Sequence, residues 1–280
     1  MTPEHRETLE QTALEVRKDV VRMIGVARSG RLDSALSLVD LLTYLYWEVL
    51  RVDPDRPRDP GRDRFLLSKG RGCPALYAVL SRRGFFPREE LWSFRRLGAL
   101  LQGYPEVGRV PGVEAPGGSM GMGLGLAVGL SLALRLDGFP SRVFCLLGDG
   151  ELQEGAVWEA ALSASVRRLG HLVALVEANE HHEEGPWKAV KGIEPIRRKL
   201  EAFGWEVLDA EGHDMEKLEE AFGGLREDRE APMAILLRTQ TGKGVSFAEE
   251  GRGGDRGLSR EDVDRALSEL EVRGGGTGDA

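Results

Sequence analysis

The chain has 280 residues, 41% of them hydrophobic, enough to bury one large core or two small ones. Its 38 basic and 46 acidic residues leave a net charge of −8 without a basic stripe, which argues against nucleic acid or a membrane surface as partner and leaves any anionic ligand to local groups. No window approaches the roughly 20 apolar residues of a membrane span, the N-terminus is unlike a signal peptide, and Cys73 and Cys145 form neither a metal knuckle nor a redox pair, so the expectation is a cytoplasmic protein with a small-molecule substrate and cysteines that serve packing.

Apolar residues recur at helical spacing over 8–27, 37–50, 74–84 and 88–98, which predicts a helix-rich first third. Between the second and third of these, the Pro- and Asp-studded stretch 53–64 predicts a connection into a short strand, "FLLS", followed by the turn "KGRGC". Residues 115–138 open on glycines and continue as an apolar helix from Ser119 to Leu136. Its small residues let neighbouring backbones approach closely, and it needs burial on most sides. From Arg142 the pattern becomes strand, helix, strand: "RVFCLL", "EGAVWEAALSASVRRLG", "HLVALVEAN". Two further apolar runs, "WEVLDA" and "MAILLRTQ", alternate with helices in 193–204 and 214–225. Such alternation predicts an α/β fold with a central parallel sheet and helices on both faces. The glycine-rich end, 271–280, reads as a flexible tail.

The stretch "LGDGELQEG" follows the first of the paired strands. A right-handed crossover brings the ends of two parallel strands to one edge, so Asp149, after one strand, and Asn179, after the next, are expected to be neighbours. Ligands of open α/β sheets bind at that edge, where helix N-termini offer N–H groups to anions. Gly148 and Gly150 permit close backbone approach. Asp149 and Asn179 supply two hard oxygens, and a carbonyl just past Asn179 would supply a third, a set suited to Mg2+ or Ca2+ shared with a diphosphate. The residues alone leave a second reading open, in which Asp149 caps a helix and Asn179 makes a turn, because a lone Gly-Asp-Gly is a short motif.

The run from Leu146 to Glu180, "LLGDGELQEGAVWEAALSASVRRLGHLVALVEANE", resembles the thiamine-diphosphate motif, and specifically its transketolase form. "DRFLLSKGRGCPALYAVLSRRGFF", "LQGYPEVGRVPGVE", "GSMGMGLGLAVGLSLALRLDG", "AFGWEV", "EGHD" and "TGKGVSF" resemble the same family, in its order, over roughly residues 10 to 270. The resemblance implies a diphosphate-binding domain over 1–270, with a helical part over 1–60, and an enzyme that transfers a two-carbon unit from a ketose or 2-oxo donor to an acceptor. It implies thiamine diphosphate with Mg2+ (or Ca2+), held by Asp149, Asn179 and the carbonyl of His181. Gly150, with Gly148, falls at the diphosphate, Gly118 and Met120 beside the cofactor's rings, and Glu154 at an interface that communicates with a neighbouring active site. Nothing resembles the pyrimidine-binding half of the family, which carries the activating glutamate. The chain therefore resembles the first subunit of a split enzyme, active only with a pyrimidine-binding second chain in a heterotetramer of two chains of each type.

The chain departs from the family where histidines are usual. Arg31, Arg71 and Tyr104 stand in their places, the loop "AEEGRGGDRG" has no histidine, and Glu180 follows the metal-binding Asn. Histidine shuttles protons near neutral pH, whereas Arg remains charged and only donates. Arg71 is expected to clamp diphosphate through its fork and to act in the site. Either the substrate has changed, to a 2-oxo acid or an acyl carrier, or the chain is a degenerate scaffold or regulatory subunit. Zinc at His181, His182, Glu183 and Glu184 would lack a third ligand at helical spacing. The glycines of "GSMGMGLG" lack the preceding strand of a dinucleotide fingerprint, and His213 in "EGHD" reads as a turn or cap residue.

Overall fold

The computed structural model describes residues 1–179, 181–182, 185–186, 192–226, 228–255 and 257–275. The apolar runs form strands β1 (Arg64–Leu67), β2 (Val143–Gly148), β3 (Leu172–Ala178), β6 (Glu206–Glu211) and β7 (Met233–Arg238), with the two-residue strands β4 (His181–His182) and β5 (Gly185–Pro186) between them in the chain. Five join one sheet in the order β1-β2-β3-β7-β6, and every pairing in it is parallel. The expected α/β architecture is therefore present. β2 is buried along its whole length, as a strand covered on both faces must be, and this is why its sequence reads as an unbroken apolar run.

Side chains of period two divide the core into two layers. Phe144 and Leu146 of β2, with Val173 and Leu175 of β3, pack against α1 (Pro3–Ala27), α2 (Leu32–Leu36), α3 (Val39–Tyr44) and α4 (Cys73–Arg82). Cys145 and Leu147, with Leu172, Ala174 and Val176, pack against α5 (Met122–Leu136) and α6 (Gly155–Val166) on the other face. Both cysteines are buried free thiols, in keeping with a packing role. Among the described residues no helix is long and apolar enough to cross a membrane.

Three elements differ from the sequence expectation. The helix expected over 88–98 is a short 3-10 segment, Arg88–Ser93. Leu91 within it and Phe94 just past its end are buried three residues apart, a spacing that eclipses in a 3-10 turn and suits it as well as an α-helix. Arg95 then takes a left-handed φ of +60°, which stops any helix of L-residues. The apolar helix begins at Met122 rather than Ser119, because Gly118 and Gly121 adopt φ of +117° and +76°. The last helix, Arg260–Gly275, runs into the segment expected as a tail, and residues 276–280 lie outside the described residues.

His213 lies in the turn after β6 and does more than turn the chain. Its Nδ1 meets Asp40 Oδ2 at 2.7 Å while its Nε2 accepts the Gln240 N–H at 2.8 Å, which fixes the tautomer with the proton on Nδ1. Asp40 is also gripped by Arg17, at 2.9 Å and 2.5 Å. Asp214 is the residue that caps the following helix, accepting from the Glu216 and Lys217 N–H groups.

Candidate functional site

β2 pairs with β3 in a register that places Gly148 beside Glu177, so the residues that follow the two strands emerge side by side. Asp149 opens a 3-10 turn, Asp149–Gln153, and is 5% exposed. Its Oδ1 accepts the Gly150 N–H at 2.8 Å, and its Oδ2 accepts the Asn179 N–H at 3.2 Å. The two residues singled out at the strand tips are thus in direct contact. The position capping α6 belongs to Glu154, which removes the reading of Asp149 as that helix's cap.

A second carboxylate braces this edge. Glu151 Oε1 accepts from the Ser68 hydroxyl at 2.5 Å and the Gly121 N–H at 3.0 Å, and its Oε2 accepts from the Gly148 N–H at 2.9 Å. One side chain thereby ties β1's end, the glycine turn before α5 and β2's end. Burial pushes its carboxyl above the ordinary range, against the lowering effect of these three donors. Beneath lies the fully buried Glu177, paired with Lys69. Burial alone would raise the Glu177 carboxyl, but Lys69, Ser37 and Thr239 outweigh it and hold it below its usual range. Asn179 Nδ2 donates to Glu177 Oε1 at 3.5 Å, which turns the amide oxygen away from that carboxylate.

Above these groups opens a cleft of about 430 Å³. Of the residues expected at a site, Arg71, Gly118, Met120, Gly148, Asp149, Gly150 and Asn179 all line it, together with Arg31 and Tyr104 from the positions that depart from the family pattern. Gly118 has no room for a side chain: a Cβ there would stand 3.0 Å from the Tyr104 ring. Met120, 56% exposed, stands at the cleft wall. The loop after β7 closes one side through Gly251 and Gly254. It is fastened to α2's start by Asp33 N–H to the Gly253 carbonyl at 3.2 Å and Gly242 N–H to the Asp33 carbonyl at 3.0 Å.

Glu154 is not brought into the cleft. It occupies the N-cap position of α6 without a side-chain capping bond, and packs over Gly121, where an added Cβ would meet the Glu154 Cβ at 2.7 Å. His181 begins the small ladder with β5, while Glu180, Glu183 and Glu184 lie outside the described residues, and with them most of the zinc reading. Among the described residues no three His, Cys, Asp or Glu side chains converge on a common point. Sequence reasoning missed Glu151, Ser68, Lys69, Glu177 and Thr241. Only Glu151 carried a local signal, since Gly148-x-x-Glu151 has the spacing of a capping box. Thr241, at the cleft wall, has a buried hydroxyl with no hydrogen-bond partner among the described residues.

The family described as "Transketolase, thiamine diphosphate binding domain" matches residues 9–271. The chain is 37% identical over 267 residues to the 6-deoxy-6-sulfo-D-fructose transketolase subunit SqwG of a Clostridium species, covering 95% of this chain and 97% of that protein. It is 35% identical over 268 residues to an apulose-4-phosphate transketolase subunit of Phocaeicola vulgatus, covering 95% of each. Among solved structures, the transketolase of Campylobacter jejuni superposes with a TM-score of 0.88 at 29% identity, over 97% of this chain and 43% of that one. The chain thus spans less than half the length of that full transketolase. With the family's sequence matched almost from end to end, and its fold carrying the Asp149–Asn179 contact at the sheet edge, this chain belongs to the transketolase family as its thiamine-diphosphate-binding domain.

Proposed function

We propose that this chain is the diphosphate-binding subunit of a two-chain transketolase, which moves a two-carbon unit from a ketose or 2-oxo donor to an acceptor and works only with a pyrimidine-binding partner. The observation that carries the reading is the contact of Asp149 with Asn179 at the rim of the 430 Å³ cleft, a volume in the usual range for small-molecule sites, about 300–1,000 Å³. The residues fit thiamine diphosphate and a hard divalent ion on three counts. A carboxylate and an amide supply oxygen donors, Gly148 and Gly150 at the cleft carry no side chain to keep a ligand from the backbone, and the orphaned Thr241 hydroxyl gains a partner from any polar ligand group. The two relatives named as transketolase subunits, matched over nearly their whole length, support the split arrangement.

Within that reading Asp149, Asn179 and the His181 carbonyl hold Mg2+ (or Ca2+), and Gly148 and Gly150 let the diphosphate approach the backbone. Bound thiamine diphosphate supplies the electron sink for carbon-carbon cleavage. Gly118 and Met120 flank the cofactor's rings. Arg71, exposed on the turn before α4, gives charged hydrogen bonds to an anion at the cleft mouth. Glu154, off the cleft, belongs to the contact between subunits, with the exposed face of α5 beside it, in a heterotetramer of two chains of each type.

Calorimetry of the chain mixed with its partner, titrated with thiamine diphosphate and Mg2+, tests the reading. Wild type binds, and Asp149→Asn weakens binding at least about a hundredfold by removing a charged oxygen donor. Equal affinity in the two proteins overturns the metal assignment. Failure of the wild-type mixture to bind leaves the scaffold reading standing.

A further inference from the structure

Beneath the cleft, the tips of neighbouring strands are tied through one carboxylate. Glu177 is fully buried and is the next-to-last residue of β3, where the register sets it beside Gly148 of β2 and Leu237 of β7. Lys69, just past the end of β1, reaches it by lying along Gly148, where a Cβ would stand 3.5 Å from the Lys69 Cδ, and pairs with Glu177 Oε2. Thr239, just past β7, donates its hydroxyl to Glu177 Oε1 at 2.9 Å. The same oxygen accepts from Asn179 Nδ2 at 3.5 Å. Residues two apart along a strand share a face, which is why Glu177 is the neighbour of the Asn179 side chain. The Asn179 backbone is fixed separately, by its N–H on Asp149 Oδ2 at 3.2 Å.

The last torsion of an asparagine is broad and roughly two-fold, so the backbone alone does not decide whether the oxygen or the NH2 group faces a ligand. An ionised carboxylate only accepts hydrogen bonds, and one paired with Lys69 admits only the NH2 end of the amide. The carbonyl end is thereby turned toward the cleft, which Asn179 lines. We propose that Glu177, with Lys69 as its counter-ion, is a positioning residue that holds the Asn179 amide with its oxygen toward the cleft, as a hard cation requires of its ligand. The cation belongs to the function proposed above, on which this part of the inference rests, whereas the hold on the amide is a property of this chain alone.

Asn179 is the only asparagine in the sequence, so the full chain grown with nitrogen-15-labelled asparagine gives a single side-chain NH2 pair in NMR spectra. That pair is expected to exchange with water slowly in wild type and at least about tenfold faster in Glu177→Gln, as loss of a hydrogen bond to a charged group does. Glu177→Asp, which keeps the charge but draws it back by one CH2, gives an intermediate rate and serves where Glu177→Gln does not fold. Thr239→Val removes a different donor from the same carboxylate. It lowers the urea midpoint but leaves the amide protected, which separates positioning from general loosening. With the partner chain and saturating thiamine diphosphate, Mg2+ titrated in a calorimeter binds about ten- to a hundredfold more weakly to Glu177→Gln than to wild type. Three outcomes overturn the inference: equal amide exchange in wild type and the Glu177 variants, equal Mg2+ affinity in mixtures that bind thiamine diphosphate, or an amide as unprotected in Thr239→Val as in Glu177→Gln. Failure of the wild-type mixture to bind thiamine diphosphate and Mg2+, with Glu177-dependent protection of the amide intact, sinks the proposed function and leaves the hold on the amide standing.

Discussion

Three donors converge on Glu151, and that convergence explains why the carboxylate stays at 4% exposure. Glu151→Gln preserves its shape but turns an NH2 group toward a backbone N–H or the Ser68 hydroxyl. The expected cost is about 1–3 kcal/mol, the penalty for leaving buried donors unmatched, read as a lower midpoint in urea unfolding. Gly118→Ala sets a methyl against the Tyr104 ring at a φ of +117°. It is expected to destabilise by about 1–3 kcal/mol and to disturb the cleft, which loss of thiamine diphosphate affinity in calorimetry checks. Asp149 and Asn179 were legible as neighbours because parallel-strand geometry fixes where strand ends fall. Thr241, Asp33 and Arg95 were not, since they come from separate segments of the chain that only tertiary packing unites, and no local spacing marks them.

Between elements, the Arg17–Asp40–His213 group joins α1, α3 and the turn after β6. Burial would raise the Asp40 carboxyl, but Arg17 and His213 outweigh burial and hold it well below the carboxylate range. Its folded pKa therefore lies under the unfolded value of about 3.9. The stabilisation is complete above that value and is lost as pH falls through the folded pKa. Urea midpoints taken from pH 6 downward are expected to drop below about pH 4 in wild type and to drop less in Asp40→Asn. That variant begins about 3–5 kcal/mol less stable, because it strands a buried guanidinium. The strands were the most legible elements, since burial on both faces leaves runs such as Val143–Leu147 apolar at every position. The segment 88–98 was misread as an α-helix because Leu91 and Phe94 meet the core at a spacing that two kinds of helix satisfy, and nothing nearby in sequence announces the left-handed Arg95.

For the molecule as a whole, α5 shows a face that the described residues do not cover. Met122 is 52% exposed and Leu126 41%, and Cβ atoms added at Gly125 or Gly129 would touch nothing among the described residues. The sequence predicted burial on most sides of this helix, and the uncovered side is where the proposed heterotetramer would place another chain. Leu126→Glu is expected to reduce the assembled species in sedimentation experiments while leaving the melting temperature of the isolated chain within a few degrees, as a change at an exposed position does. Unchanged assembly would place the contact elsewhere. Under the proposed two-chain assembly, a ribosome releasing this polypeptide without its counterpart would set that sticky stripe loose in water, where any other copy offers relief, and matched output of the two products, from the first minutes of synthesis, would be a demand written into the surface of a single helix.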